Sequence, residues 1–247
     1  MLLIMKTKLA IVDERISEAQ ERSLLIRGFR TLKLPPHSAL GASVASHTDM
    51  LICKMGGELI SCAEYCERYP YIFTDLSQLA RGYKISFTAD SLSAEYPSDC
   101  KLNVLIMSGC IFCRVESVSP YILELAKTLG LKTVPVKQGY PACTVLKLSE
   151  RVAVTADSGM ARALYDVGIE VIKIKEGHIS LPPHEFGFIG GAAGVYGDTV
   201  YFLGRIEDHP SYALIKEALD SLGMNALSLS DEPLRDLGGI LLIEADI

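Results

Sequence analysis

Four stretches of the chain hold groups from which acid–base or nucleophilic chemistry could be built: Ser46-His47-Thr48-Asp49, Asp99-Cys100, Ala142-Cys143-Thr144 and Asp236-Leu237-Gly238. An imidazole titrates near neutrality, so small changes of environment let His47 take or give a proton. A cysteine attacks as the thiolate, and needs a nearby positive charge to bring its pKa down from about 8.5. Buried and inert is the commoner state of a free cysteine, and residue type alone does not choose between Cys100 and Cys143. A fifth stretch, Gly190-Gly191-Ala192, opens a glycine-rich run able to form an anion-binding nest of backbone N–H groups. It does not meet the dinucleotide fingerprint, because a hairpin rather than a helix follows it.

The remaining cysteines give weaker patterns. Cys110 and Cys113 have CxxC spacing on a strand-like segment, where residues three apart face opposite sides and one metal cannot easily take both. Cys62 and Cys66 could meet on a helical turn near Glu64, but no second pair of ligands completes a zinc site, and no metal is expected. Seven cysteines, scattered through 247 residues, are not a secreted disulfide framework and point to a reducing, cytoplasmic setting. A formal net charge of −6 lacks the basic face of a nucleic-acid binder, and no Lys/Arg run suits an anionic membrane. The apolar opening, Met1 to Met5, is too short for a signal core or a membrane span and reads as part of a strand.

What must position the five stretches is a repeat. Five glycines are each followed by a strand-like run: Gly28-Phe-Arg-Thr-Leu-Lys-Leu34, Gly82-Tyr-Lys-Ile-Ser-Phe-Thr88, Gly130-Leu-Lys-Thr-Val-Pro-Val136, Gly168-Ile-Glu-Val-Ile-Lys-Ile174 and Gly223-Met-Asn-Ala-Leu-Ser-Leu229. A glycine just past a helix suits the left-handed position there. Three preceding segments carry apolar residues on one helical face: Ile122, Leu125, Ala126 and Leu129; Met160, Ala163, Leu164 and Val167; Ile215, Ala218, Leu219 and Leu222. Pro120, Pro210 and the Asp157-Ser158 pair mark their starts. The segments before Gly28 and Gly82 fit the pattern less well.

Upstream of four of these helices lies a hairpin: 49–54 with 58–62 across Gly56-Gly57, 103–107 with 110–114 across Ser108-Gly109, 144–148 with 152–155, and 193–196 with 199–203 across Gly197-Asp198. The first unit has a single such strand, from Leu9 to Asp13. The C-terminal segment from Gly238 to Glu244 has no helix of its own and is the partner the first strand lacks. Pairing the two ends latches five units into a ring with no open edge, one domain over residues 1–247. The five chemically equipped stretches stand just ahead of the first strand of each unit, and in the pentein fold, which this ring resembles, the loops at that place carry their groups to the central axis.

A closed five-unit ring of hairpin, helix and strand resembles the pentein fold, the five-bladed αβ-propeller of the guanidine-modifying enzymes, which a non-enzymatic ribosome anti-association factor also uses. The resemblance spans the whole chain, and is nearest to an uncharacterised bacterial family grouped with that fold. It implies a nucleophilic Cys, a His in an H-x-D motif that shuttles protons, and carboxylates that grip the guanidinium nitrogens. His47-Thr48-Asp49 is similar to that motif and Cys143-Thr144 to the start of the catalytic strand, while Cys100 lies in the unit directly after His47. Asp236-Leu-Gly-Gly239 resembles the family's acidic gripping turn but lacks the acid after its glycines, leaving Asp49 or Asp99 to supply a second carboxylate. The final strand has no cysteine, where penteins place theirs. A second echo, Leu34-Pro-Pro-His37 and Leu181-Pro-Pro-His184, stiffens two entry loops and aims His37 and His184 at the rim of the pocket.

Two functions follow. One is a Cys/His-dependent hydrolase or amidinotransferase of guanidino-type compounds, which the coincidence of His47 with two axial thiols favours. The other is a non-catalytic pentein that binds a small-molecule or macromolecular partner, which the missing C-terminal cysteine favours. Neither implies a cofactor. A small-molecule ligand is the partner expected, and a homo-oligomer is compatible with the sequence.

Overall fold

All five helix-stop glycines adopt φ between 66° and 93°, the left-handed conformation a side chain resists. In the computed structural model, which describes residues 6–246, each of them separates a helix from the strand that follows. The first unit runs β1 (Lys6–Asp13), α1 (Glu18–Ile26) and β2 (Phe29–Leu34). The second is α2 (Thr48–Leu51), β3 (Cys53–Met55), β4 (Glu58–Cys62), α3 (Ala63–Arg68), α4 (Pro70–Leu79) and β5 (Lys84–Thr88). The third is β6 (Leu105–Met107), β7 (Cys110–Cys113), α5 (Pro120–Thr128) and β8 (Lys132–Pro135). The fourth is α6 (Pro141–Thr144), β9 (Val145–Lys147), β10 (Val152–Thr155), α7 (Ser158–Tyr165) and β11 (Glu170–Lys173). The fifth opens on a 3-10 turn, Gly190–Ala192, and continues through β12 (Ala193–Tyr196), β13 (Thr199–Phe202), α8 (Tyr212–Ser221) and β14 (Asn225–Ser228); β15 (Leu241–Asp246) ends the chain. The stretch from Met1 to Met5 lies outside the described residues.

Every unit forms the same three-stranded sheet, with a central strand antiparallel to the one before it and parallel to the one after. A parallel neighbour needs a crossover, and the helix of each unit provides it. In the first unit the antiparallel partner is β15, in register from Lys6 opposite Asp246 to Ile11 opposite Leu241. The tail thus completes the unit that opens the chain.

The core shows why no unit stands alone. Five clusters of buried side chains each join two successive units. Leu9 and Ile11 of the first meet Met50 and Leu59 of the second. Cys53 and Ile60 meet Ile111 and Ile122 of the third, and Met107 and Phe112 meet Val145 and Met160 of the fourth. Val152 and Val154 meet Val200 and Phe202 of the fifth, and Tyr201 and Leu203 return to Ala10, Val12 and Phe29 of the first. Cyclic sharing of apolar faces closes the five-bladed αβ-propeller. Cys110 and Cys113 fall in different clusters, on the two faces of β7.

Three details differ from the sequence reading. Residues 48–51 form a single helical turn where the strand was expected to begin at Asp49, and residues 141–144 form another in the approach to the strand expected from Thr144; they are closed by Ile52 N on Thr48 O (2.8 Å) and Thr144 N on Tyr140 O (2.9 Å). Pro70, which has no N–H to donate, breaks the second unit's helix in two after Tyr69. Pro210 stands two residues ahead of α8, whose N-cap is Ser211.

Candidate active site at the propeller axis

The one-turn helices aim the chemistry. α2 carries Asp49, with His47 as its N-cap, and α6 carries Cys143. The Asp49 amide donates to Gly238 O at 3.2 Å, tying the second unit to the returning tail. One donor atom each from His47, Asp49 and Cys143 lies within 4.8 Å of the other two, although the three come from two units well apart in sequence. The Cys143 thiol donates to Asp49 Oδ2 at 2.5 Å. Asn103 completes the cluster: its Nδ2 donates to Cys143 Sγ at 3.7 Å, and its Oδ1 accepts the Ala142 amide at 2.8 Å.

Asp236 closes the ring of side chains from the fifth segment. Its Oδ1 accepts from Gly238 N (3.0 Å) and stands 3.8 Å from His47 Nδ1; its Oδ2 accepts from Phe188 N (2.8 Å). Two glycines make room for this layer. A Cβ on Gly191 would fall on the Asp236 carboxylate, and one on Gly238 would fall on the His47 Cβ. Gly191, expected to bind substrate, therefore supports Asp236 by its smallness, and its carbonyl accepts from Leu237 N and Gly239 N.

The electrostatics are those of a site short of positive charge. Burial, reinforced by the charges of Arg15 and Arg235, lowers His47 to about 3, so it is neutral. Burial raises Asp49 to about 8, with Asp236 adding to the rise and the Cys143 hydrogen bond opposing it. Asp236 is raised by burial to about 6 against two backbone hydrogen bonds. Burial, then Asp49 and Asp236, push the Cys143 thiol well above its usual value. Both ring nitrogens of His47 and Asp49 Oδ1 are buried without a hydrogen-bond partner. Orphaned polar atoms are costly inside a protein, and here they cluster around one thiol.

Above this layer opens a cavity of about 550 Å³, lined by His47, Cys143, Asp236, Asp99 and His184, among others. Asp99 accepts from Tyr140 Oη at 2.5 Å, and its Oδ1 is another buried orphan. His184 reaches the mouth and pairs with Ser43 Oγ at 2.9 Å. Two expected residues lie apart. Cys100 does not line the cavity; its thiol donates to Pro97 O (3.0 Å) and meets Ser117 Oγ. His37 is drawn away because the Pro35 and Pro36 carbonyls accept from Tyr65 Oη (2.7 Å) and Tyr69 Oη (2.9 Å), which stacks its ring on Tyr65.

His37 instead joins Cys62 and Glu64 in a trio with metal-ligand spacing. Its Nδ1 accepts the Ala39 amide at 3.2 Å, which leaves the proton on Nε2, facing Glu64 at 3.2 Å, and no lone pair there for a metal. The sequence reading passed over Asn103 and Tyr140, which carry no charge to draw attention. The available signal was position: Asn103 stands about as far ahead of its hairpin turn as Cys143 does.

The five-bladed propeller is the pentein fold. Within it, the chain belongs to the Family of unknown function (DUF6873), whose model matches residues 11–241. No curated protein matches. Among solved structures, the chain is similar to a mutant dimethylarginine dimethylaminohydrolase from Pseudomonas aeruginosa complexed with citrulline, with 12% identity, TM-score 0.57, and 99% of this chain and 100% of that chain covered. An agmatine deiminase from C. jejuni (6%, TM-score 0.55, 91% of each chain) and a Microseira wollei amidinotransferase (11%, TM-score 0.54, 89% and 87%) share the fold. Among the described residues no helix is long and apolar enough to cross a membrane.

Proposed function

We propose that the whole chain is one domain that binds a guanidino-type cation at the propeller axis, and that Cys143 and His47 perform substitution at its central carbon, as a hydrolase or amidinotransferase. The observation that carries this reading is that His47, with both ring nitrogens orphaned, and the Cys143 thiol line the floor of a cavity with room for an organic body, with the orphaned Asp49 Oδ1 in the buried layer behind them. A bare divalent ion could also use the His47, Asp49 and Cys143 donors, but it would leave the cavity above them unfilled. The structurally similar hydrolase and deiminase are named for guanidino compounds, which agrees with the proposal.

A planar cation held between Asp49 and Asp236 favours their ionised forms and, by its charge, lowers the thiol. The thiol proton passes to neutral His47. Cys143 Sγ bonds to the central carbon, and the C–N bond breaks as His47 returns that proton to the departing amine. Water then cleaves the C–S bond in a hydrolase, or an amine acceptor does so in a transferase, and Cys143 regains its proton. Asp99, with Tyr140, grips the ligand further out. The seven unpaired cysteines agree with a cytoplasmic setting.

One feature favours the second reading, a non-catalytic binder: burial, Asp49 and Asp236 hold the Cys143 pKa up and outweigh the one group that lowers it, the Asn103 hydrogen bond. Alkylation with cationic chloroacetamidine and neutral iodoacetamide, read by peptide mapping, separates the two. The enzyme reading expects chloroacetamidine to modify Cys143 about tenfold faster or more, and His47→Ala to abolish that advantage. Equally slow modification by both reagents would favour the binder.

A further inference from the structure

The wall of the axial cavity carries information about the remainder of the ligand. Above the acids it is apolar and aromatic, formed by Val44, Leu181, Phe186 and Phe188 with the rings of Tyr96 and Tyr140. Among the described residues no lysine or arginine lines it. The cations that act on His47 stand behind the wall. Arg15 is engaged there through four of its five N–H donors, with Nε on Asp13 Oδ1 (2.9 Å), Nη2 on Asp13 Oδ2 (2.5 Å) and Ser43 O (3.0 Å), and Nη1 on Ala42 O (3.3 Å). Arg235 also lies outside the lining. Arg114 lies over the Tyr96 ring at 5.1 Å and donates to its hydroxyl and to Lys137 O. His184, the imidazole at the mouth, is paired with Ser43. A ligand carboxylate would therefore find no counter-charge and would face Asp99 and Asp236, whereas an alkyl chain or ring would find matching surface.

We infer that the ligand is a guanidine or amidine without a carboxylate, carrying an apolar or aromatic body, and is not an amino acid. The inference rests on the guanidino reading above and narrows it.

Calorimetric titration of the full chain with three compounds tests it: butylguanidine, 4-phenylbutylguanidine and 4-guanidinobutyrate. The expected order is 4-phenylbutylguanidine tightest, then butylguanidine, with 4-guanidinobutyrate weaker than butylguanidine by about tenfold or more. If 4-guanidinobutyrate binds as tightly as butylguanidine, the inference fails and the guanidino reading stands. If none of the three binds, the reading itself fails and takes the inference with it. A rim variant gives an independent arm. Ala94→Arg, at an exposed position on the lining, supplies the missing cation and should strengthen 4-guanidinobutyrate binding about tenfold without helping butylguanidine. A gain shared by both ligands, or by neither, would overturn the inference.

Discussion

Asp49 and Asp236 keep, in the folded protein, protons that the unfolded chain releases. Free carboxyls ionise near pH 4, while these two ionise in the folded state near 8 and 6. Their contribution to stability is therefore complete below about pH 4 and is lost as pH rises, until each ionises in the folded protein as well. His47 acts at the other end. It stays neutral when folded down to about pH 3, whereas the unfolded chain takes a proton below about 6.5, so its burial costs stability as pH falls through that window. Asp49→Asn, which has no proton to lose, should flatten the decline between about pH 5 and 8, and gain on the order of 2 kcal/mol over the parent at pH 8 in denaturant titrations. Identical pH profiles for the two proteins would mean that Asp49 is not held protonated. His47, Asp49, Cys143 and Asp236 were legible in the sequence because each is a reactive residue just ahead of a strand. The choice of Cys143 over Cys100 as the thiol on the cavity was not legible, since it depends on which loop coils into a helical turn beneath the axis.

The elements that aim these side chains differ in kind, and substitutions should distinguish them. Asp157 caps α7 by accepting from Met160 N at 2.7 Å and stands outside the lining of the axial cavity. Asp157→Ala should cost about 1 kcal/mol in thermal or chemical denaturation and leave Cys143 alkylation unchanged. Gly238, at φ 70° and against His47, serves the site directly. Gly238→Ala should cost on the order of 1–3 kcal/mol and also remove the effect of His47 on Cys143 alkylation; an alkylation rate equal to the parent's would contradict that role. Helix stops and hairpins could be read from glycines and alternating residues, because those features repeat. The turns at 48–51 and 141–144 could not, since four residues are too few to show a helical period.

Across the whole molecule, function depends on closure. β15 buries Leu242, Ile243 and Ala245 against the first unit, and the segment ahead of it delivers Asp236 and Gly238 to the axis. Ile243→Ala should cost about 2–5 kcal/mol, and removal of residues 241–247 should abolish cooperative unfolding, because two of the five shared clusters would lose a wall. Cooperative melting of the truncated chain would contradict the ring. That two distant ends meet was legible only because the first unit lacked a strand and the tail lacked a helix. The cavity lining was not, since it gathers loops from several units. A guanidinium cation bound at the axis should make Cys143 ionisable, which the thiolate absorbance near 240 nm, taken as parent minus Cys143→Ser across pH, would reveal. No Cys143 thiolate is expected near neutral pH for the protein alone, and it should appear there when butylguanidine is bound. An ionisation profile unchanged by the bound cation would contradict that effect.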